Sequence, residues 1–118
     1  KSINKYKQHL EYRKGYDHNC VLNNWDGQNL QVASIYSLRS GIKMEVFTNE
    51  PGMQFYSGNF LDGSDTGKGD KIYKYRTAFC LETQHFPDSP NHNNFPSTVL
   101  KPDEKYYSTC SYKFSIAE

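Results

Sequence analysis

Apolar and polar residues alternate with period two over several short stretches of this chain, and turn-forming residues separate those stretches. Ile42, Met44 and Val46 fall on one side while Lys43 and Glu45 fall on the other, the pattern of a half-buried strand. Residues 30–38 just upstream also read as a strand, and Ser40-Gly41 between the two supplies a tight reversal, so the pair is predicted to form a β-hairpin. Pro51-Gly52 interrupts the pattern and residues 53–60 resume it. Residues 73–86 lie between two loops, and residues 79–86 within them suit a buried strand. Near the end, Cys110, Tyr112, Phe114 and Ile116 alternate with Ser111, Lys113 and Ser115, which predicts a last strand with one buried face.

The breaks are equally legible. Asn23, Asn24, Asp26 and Gly27 form a polar interruption, and residues 62–71 are a loop rich in glycine and aspartate. Pro87, Pro90 and Pro96 among asparagines exclude both helix interior and central strand over residues 87–96. The charged stretch up to about Lys14 allows a short helix or an extended lead-in. The expectation is an all-β chain with no internal repeat. Five or six strands joined by long loops leave open sheet edges, and a chain of 118 residues buries only about two-thirds of its unfolded surface, so a larger sheet system is implied.

Charge narrows the class of partner. Fourteen basic residues against 13 acidic ones leave a formal charge of +1, too close to balance for an electrostatic grip on nucleic acid or an anionic membrane. No apolar run approaches the ~20 residues of a membrane helix. The N-terminal residues lack the apolar centre of a secretory signal and there is no initiator methionine, so the chain is expected to be processed or an excerpt. Cys20, Cys80 and Cys110 are odd in number and widely spaced, and no Asn-x-Ser/Thr acceptor occurs; both cues favour the cytoplasm. The three cysteines stand in apolar surroundings and read as core thiols. Ten tyrosines with seven phenylalanines supply rings with polar tips that suit half-buried strands and sugar-binding surfaces alike.

Candidate chemistry can then be weighed residue by residue. The loop Gly63-Ser-Asp-Thr-Gly67-Lys68-Gly69 is one residue short of a phosphate-binding loop and lacks a hydroxyl after the lysine, so it reads as a surface turn. Asp62, Asp65 and Asp70 miss the ligand order of a calcium loop, and His18, His85 and His92 lack the spacing that fixes two ligands on one face, so no metal is expected. Glu82 is more informative. It lies within Phe79-Cys80-Leu81-Glu82-Thr83-Gln84-His85-Phe86, where a carboxylate must be paired, exposed at a cleft, or shifted in proton affinity. On a strand Glu82 and Gln84 share one face and Leu81 and Thr83 the other; a solvent-facing glutamate is the plainer reading. Asp17-His18-Asn19 places three polar groups at the mouth of a strand, where turn and cap chemistry would also explain them. Gln54 sits between apolar neighbours and could hold a sugar hydroxyl or satisfy a backbone group.

Taken together, Gly15-Tyr-Asp17-His18-Asn19, the block from Thr48 through Pro51-Gly52-Met-Gln54-Phe55-Tyr56-Ser-Gly58-Asn59 to Gly63, Phe79-Cys-Leu-Glu82-Thr83-Gln84, and Phe86-Pro87-Asp88 through Asn91 to Phe95-Pro96 resemble the aldose 1-epimerase (galactose mutarotase) family in order and spacing. The resemblance runs from about Gly15 to the end. It implies a C-terminal portion of a single large twisted antiparallel β-sandwich, incomplete in this chain, whose cleft binds a free hexose such as galactose or glucose. It further implies Glu82 as catalytic base, Asp17 and Gln54 as holders of sugar hydroxyls, and no cofactor. The family's acid histidine belongs to an earlier segment that nothing here matches, so the remaining N-terminal portion of the enzyme is the expected partner and this portion alone is expected to be inactive. Ala78 stands where the family usually has glycine. A non-catalytic sugar-binding or regulatory protein of the same fold is the alternative.

Overall fold

The structure, a computed structural model, describes residue 10 and residues 12–116. The lead-in expected up to Lys14 lies mostly outside the described residues. Six strands appear in chain order: β1 (Asp17–Val21), β2 (Leu30–Tyr36), β3 (Ile42–Thr48), β4 (Gly52–Tyr56), β5 (Cys80–Gln84) and β6 (Cys110–Ile116). Within residues 12–116 the helical segments are single 3-10 turns at Lys68–Asp70 and Ser89–Asn91. The strands form two three-stranded sheets, ordered β1-β4-β5 and β2-β3-β6. The all-β expectation therefore holds.

The chain divides into two compact units, one formed by the stretch ending at Cys20 with Gln54–Glu82, the other by Val21–Met53 with Thr83–Glu118. In the second unit, β2 and β3 form the hairpin anticipated around Gly41. Gly41 donates its N–H to the Ser37 carbonyl at 2.8 Å, and Ser37 donates to Ile42 at 2.9 Å, so the reversal begins three residues before Ser40. The β2–β3 register pairs Ile35 with Met44 and Ala33 with Val46, with a bulge between Gln31 and Ala33. β6 runs antiparallel along the other edge of β3, setting Val46 opposite Tyr112, Met44 opposite Phe114 and Ile42 opposite Ile116. Those apolar pairs share one face. Glu45 on the opposite face faces Lys113 and takes a 2.9 Å ion pair from Lys43, and the Lys43 ammonium holds its carboxyl below the ordinary range.

β6 corrects one expectation. Its apolar face is not buried here: Phe114 is 65% and Ile116 71% exposed, so little of the described chain packs over the sheet at β6. Two of the presumed core thiols also lie at the surface, since Cys20 and Cys110 are exposed and Cys80 is half-buried. What is buried in this unit is mostly the end of β3 and the turn after it. Val46, Thr48 and Pro51 are fully enclosed, and the Thr48 hydroxyl donates to the Thr109 carbonyl at 2.9 Å. Asn49 ties the same ends together, accepting from the Thr109 N–H at 2.7 Å and donating to the Tyr107 carbonyl at 3.1 Å. Side-chain amides here close backbone groups that the six strands leave unpaired.

Candidate active site

The polar run Asp17-His18-Asn19 is part of β1 itself, not a cap before it. A strand of such low apolar content needs outside support, and the first unit supplies it. Tyr16 and Ser57 exchange backbone bonds: the Ser57 N–H donates to the Tyr16 carbonyl at 3.0 Å, and the Tyr16 N–H donates to the Ser57 Oγ at 3.0 Å. The Ser57 hydroxyl donates to Asn59 Oδ1 at 2.7 Å, and Asn59 Nδ2 donates to the Tyr16 carbonyl at 2.7 Å. Ser57 and Asn59 are both buried. Gly15 completes this lock, because a Cβ there would stand 2.0 Å from Asn59 Oδ1. Two of the motif blocks thus meet through Gly15, Ser57 and Asn59, and the contact sets where Asp17 begins its strand. Sequence reading missed Ser57 and Asn59; their place inside a quoted motif was the available signal.

Asp17 then meets Gln54. Gln54 Nε2 donates to Asp17 Oδ1 at 2.8 Å, and Arg13 Nη1 lies 3.6 Å from Asp17 Oδ2. Both Asp17 and Gln54 are half-buried. Glu82 belongs to β5, the strand on the other side of β4. Its face follows from ring contacts on the opposite side of the sheet. Phe55 packs against Tyr16, with centroids 5.2 Å apart, and against Phe79 at 6.5 Å. Since neighbours along a strand point to opposite faces, the residues after or before these rings, Asp17, Gln54 and Cys80, occupy the other face, and Glu82 shares it two positions on. The bond between Cys80 and Glu82 agrees with that placement: burial, then the adjacent carboxylate, push the Cys80 thiol upward in pKa.

The three residues singled out from sequence therefore come from three adjacent strands and present on one face. Glu82 is exposed while its neighbour Leu81 is buried on the other face of β5. A hollow of about 320 Å3 lies in the same unit, lined by Tyr56, Leu61, Tyr73, Phe79 and Cys80 among others. Tyr56 stacks on Phe60, with rings 14° from parallel, and its hydroxyl accepts from the Phe60 N–H at 2.9 Å. Flat rings with polar tips are suited to a ligand with apolar faces and many hydroxyls. Gly58 holds the bend that follows β4. Its φ is +66°, and a Cβ would come within 2.5 Å of the residue 78 carbonyl oxygen, so the close approach of the two backbones requires glycine at 58.

The histidines considered as metal ligands are engaged locally instead. His18 Nδ1 accepts from the Asp17 N–H at 3.0 Å, His92 Nε2 lies 3.1 Å from Asp88, and His85 Nδ1 lies 2.6 Å from Glu50. The glycine loop at residues 63–69 is a turn closed by Gly67, which donates its N–H to the Lys71 carbonyl at 2.8 Å.

Comparison with known proteins shows the family. The sequence profile of the aldose 1-epimerase family matches residues 1–113. The chain is 42% identical over 112 residues to galactose mutarotase from Homo sapiens, covering 93% of this chain and 32% of that protein. It is 40% identical over 108 residues to aldose 1-epimerase from Escherichia coli K12, covering 89% of this chain and 30% of that protein. A crystal structure of an aldose epimerase homologue from C. elegans superposes with a TM-score of 0.77 at 28% identity, over 87% of this chain and 30% of its own. The chain spans about a third of the length of these relatives. With the matched profile extending over nearly every residue, the chain belongs to the aldose 1-epimerase family.

Proposed function

We propose that the chain carries the base-bearing part of a mutarotase that interconverts the α and β anomers of a free hexose such as galactose or glucose. The reaction removes a proton from the anomeric hydroxyl and delivers one to the ring oxygen; the ring opens, the aldehyde turns, and the hydroxyl recloses on the opposite face. Glu82 is the base. Its exposure lets a sugar hydroxyl reach it, and the alternation along β5, next to β4, supports a place on the same face as the Asp17–Gln54 pair. Asp17 and Gln54 hold sugar hydroxyls, with their mutual hydrogen bond restraining the rotamers of both side chains. The acid that serves the ring oxygen comes from a histidine in the rest of the enzyme, and the catalytic unit is completed there. The setting is cytoplasmic and the chemistry needs no cofactor.

The observation that carries this reading is the 2.8 Å bond between Gln54 and Asp17, on the face shared by Glu82. Polarimetry on freshly dissolved α-galactose with the complete protein tests it. Glu82→Gln keeps shape and a hydrogen bond but cannot accept the proton, so turnover is expected to fall by about 10²-fold or more while sugar affinity stays within a few fold. Retention of most of the rate would remove Glu82 from the mechanism and leave a sugar-binding protein of the same fold as the better description.

A further inference from the structure

A second group of polar side chains lies within the second unit and takes no part in the chemistry above. Glu50 is only 2% exposed, and its carboxylate is shared by three donors. One oxygen lies 2.6 Å from His85 Nδ1, the other accepts from the Tyr106 hydroxyl, and Ser108 adds a further hydrogen bond. Burial alone would raise the carboxyl's pKa, yet the hydrogen bonds from Ser108, Tyr106 and His85 outweigh it and the net direction is down, so the group is held as a carboxylate. A buried charge of this kind costs desolvation that well-packed apolar residues would not.

The two rings held by Glu50 stand on the wall of a cavity. His85 and Tyr106, with centroids 6.2 Å apart in an edge-on arrangement, line a hollow of about 500 Å3. Gln84, Ser97 and Thr98 add an amide and two hydroxyls to the same wall, and Val99 and Leu100 add an apolar strip. Asp17, Gln54 and Glu82 are not among the lining residues. The volume lies inside the roughly 300–1,000 Å3 typical of small-molecule sites.

We propose that this cavity is a second binding site, for a neutral sugar or similar polyhydroxylated ring. The lining includes no lysine, arginine, aspartate or glutamate, which disfavours a charged ligand. Hydroxyls and an amide beside an apolar strip match the alternating polar edge and apolar face of a pyranose. Glu50 orients the His85 ring through Nδ1, leaving Nε2 as the ring atom available to a ligand hydroxyl. The Tyr106 hydroxyl donates a hydrogen bond to Glu50, and its ring lines the cavity.

The site is separable from the proposed catalytic one by its ligand and by its residues. The probe is methyl β-galactopyranoside, which is blocked at the anomeric oxygen and cannot mutarotate, measured by titration calorimetry and saturation-transfer NMR on the complete protein. Leu100→Trp fills the cavity from an exposed position without touching the Glu50 network, and it should weaken probe binding at least about tenfold while galactose mutarotation stays at the wild-type rate. His85→Ala should weaken the probe similarly, with circular dichroism reporting that the fold persists. Asp17→Asn should leave probe binding here unchanged. The proposal is overturned if the probe does not bind, if Leu100→Trp leaves its affinity unchanged, or if Asp17→Asn alone abolishes it. Loss of the catalytic reading through Glu82→Gln would not alter any of these outcomes.

Discussion

Gln54 reaches across from β4 to donate a 2.8 Å hydrogen bond to Asp17 on β1, joining two side chains 37 positions apart in sequence. The pair is half-buried and its members constrain each other's rotamers, which is what a site for orienting a sugar requires. In the complete protein, Gln54→Ala leaves one Asp17 oxygen without that donor. Sugar affinity is expected to weaken by about 1–3 kcal/mol in each of Gln54→Ala and Asp17→Asn, read as KM and by direct titration, with the pH profile of turnover retaining its wild-type inflection. If Asp17→Asn abolished the acidic limb of that profile while Glu82→Gln preserved it, the base would be Asp17.

Gly58 offers a test of how the site is built. At φ +66° an alanine would be strained, and its Cβ would also meet the Ala78 carbonyl at 2.5 Å. Gly58→Ala should lower unfolding stability by at least about 1–3 kcal/mol, the cost of a left-handed non-glycine residue before the clash is counted. Urea denaturation of the complete protein measures it. A midpoint unchanged from wild type would show that the approach of residues 58 and 78 relaxes freely.

Much of this organisation was legible in the sequence, and the parts that were not have identifiable physical reasons. The β2–β3 hairpin is locally determined, by period-two alternation around a Gly41 turn, so local reading found it. β1 was obscured because Asp-His-Asn has the composition of a turn; it becomes a strand through the Tyr16–Ser57–Asn59 lock, formed over 41 residues or more. Residues 79–86 suit a strand, yet only Cys80–Gln84 pairs, and Arg76 at φ +58° interrupts the stretch before them. Alternation correctly set Glu82 opposite Leu81. Glu50, by contrast, joins His85 and Tyr106 from 35 and 56 positions away, a relation that no spacing rule exposes.

The Glu50 network predicts an acid-sensitive component of stability. Its carboxyl ionises below the ordinary value of 4.5 in the folded protein, so the stabilisation is fully present above that ordinary value and is lost as pH falls through the folded value. Glu50→Gln should cost about 1–3 kcal/mol at neutral pH by leaving its donors poorly matched, and should flatten the decline in stability below about pH 4.5. Thermal melts across an acid pH series distinguish the two proteins. Parallel curves for wild type and variant would show that Glu50 does not titrate with folding.

The last prediction concerns β6. Tyr112, Phe114 and Ile116 alternate as core residues do, and their cross-strand partners Val46, Met44 and Ile42 continue the same apolar face, yet Phe114 and Ile116 remain largely exposed. An edge strand with an apolar face and unpaired backbone groups is a template for association. Produced by itself, the 118-residue chain should therefore bind a hydrophobic dye such as ANS and self-associate with increasing concentration. Phe114→Lys with Ile116→Lys should reduce both in the isolated chain, since the charges disfavour stacking and edge pairing. The same double change in the complete protein should lower its melting temperature if the rest of the enzyme covers this face. A monomeric isolated chain with a sharp cooperative melt and no dye binding would show that β6 needs no cover.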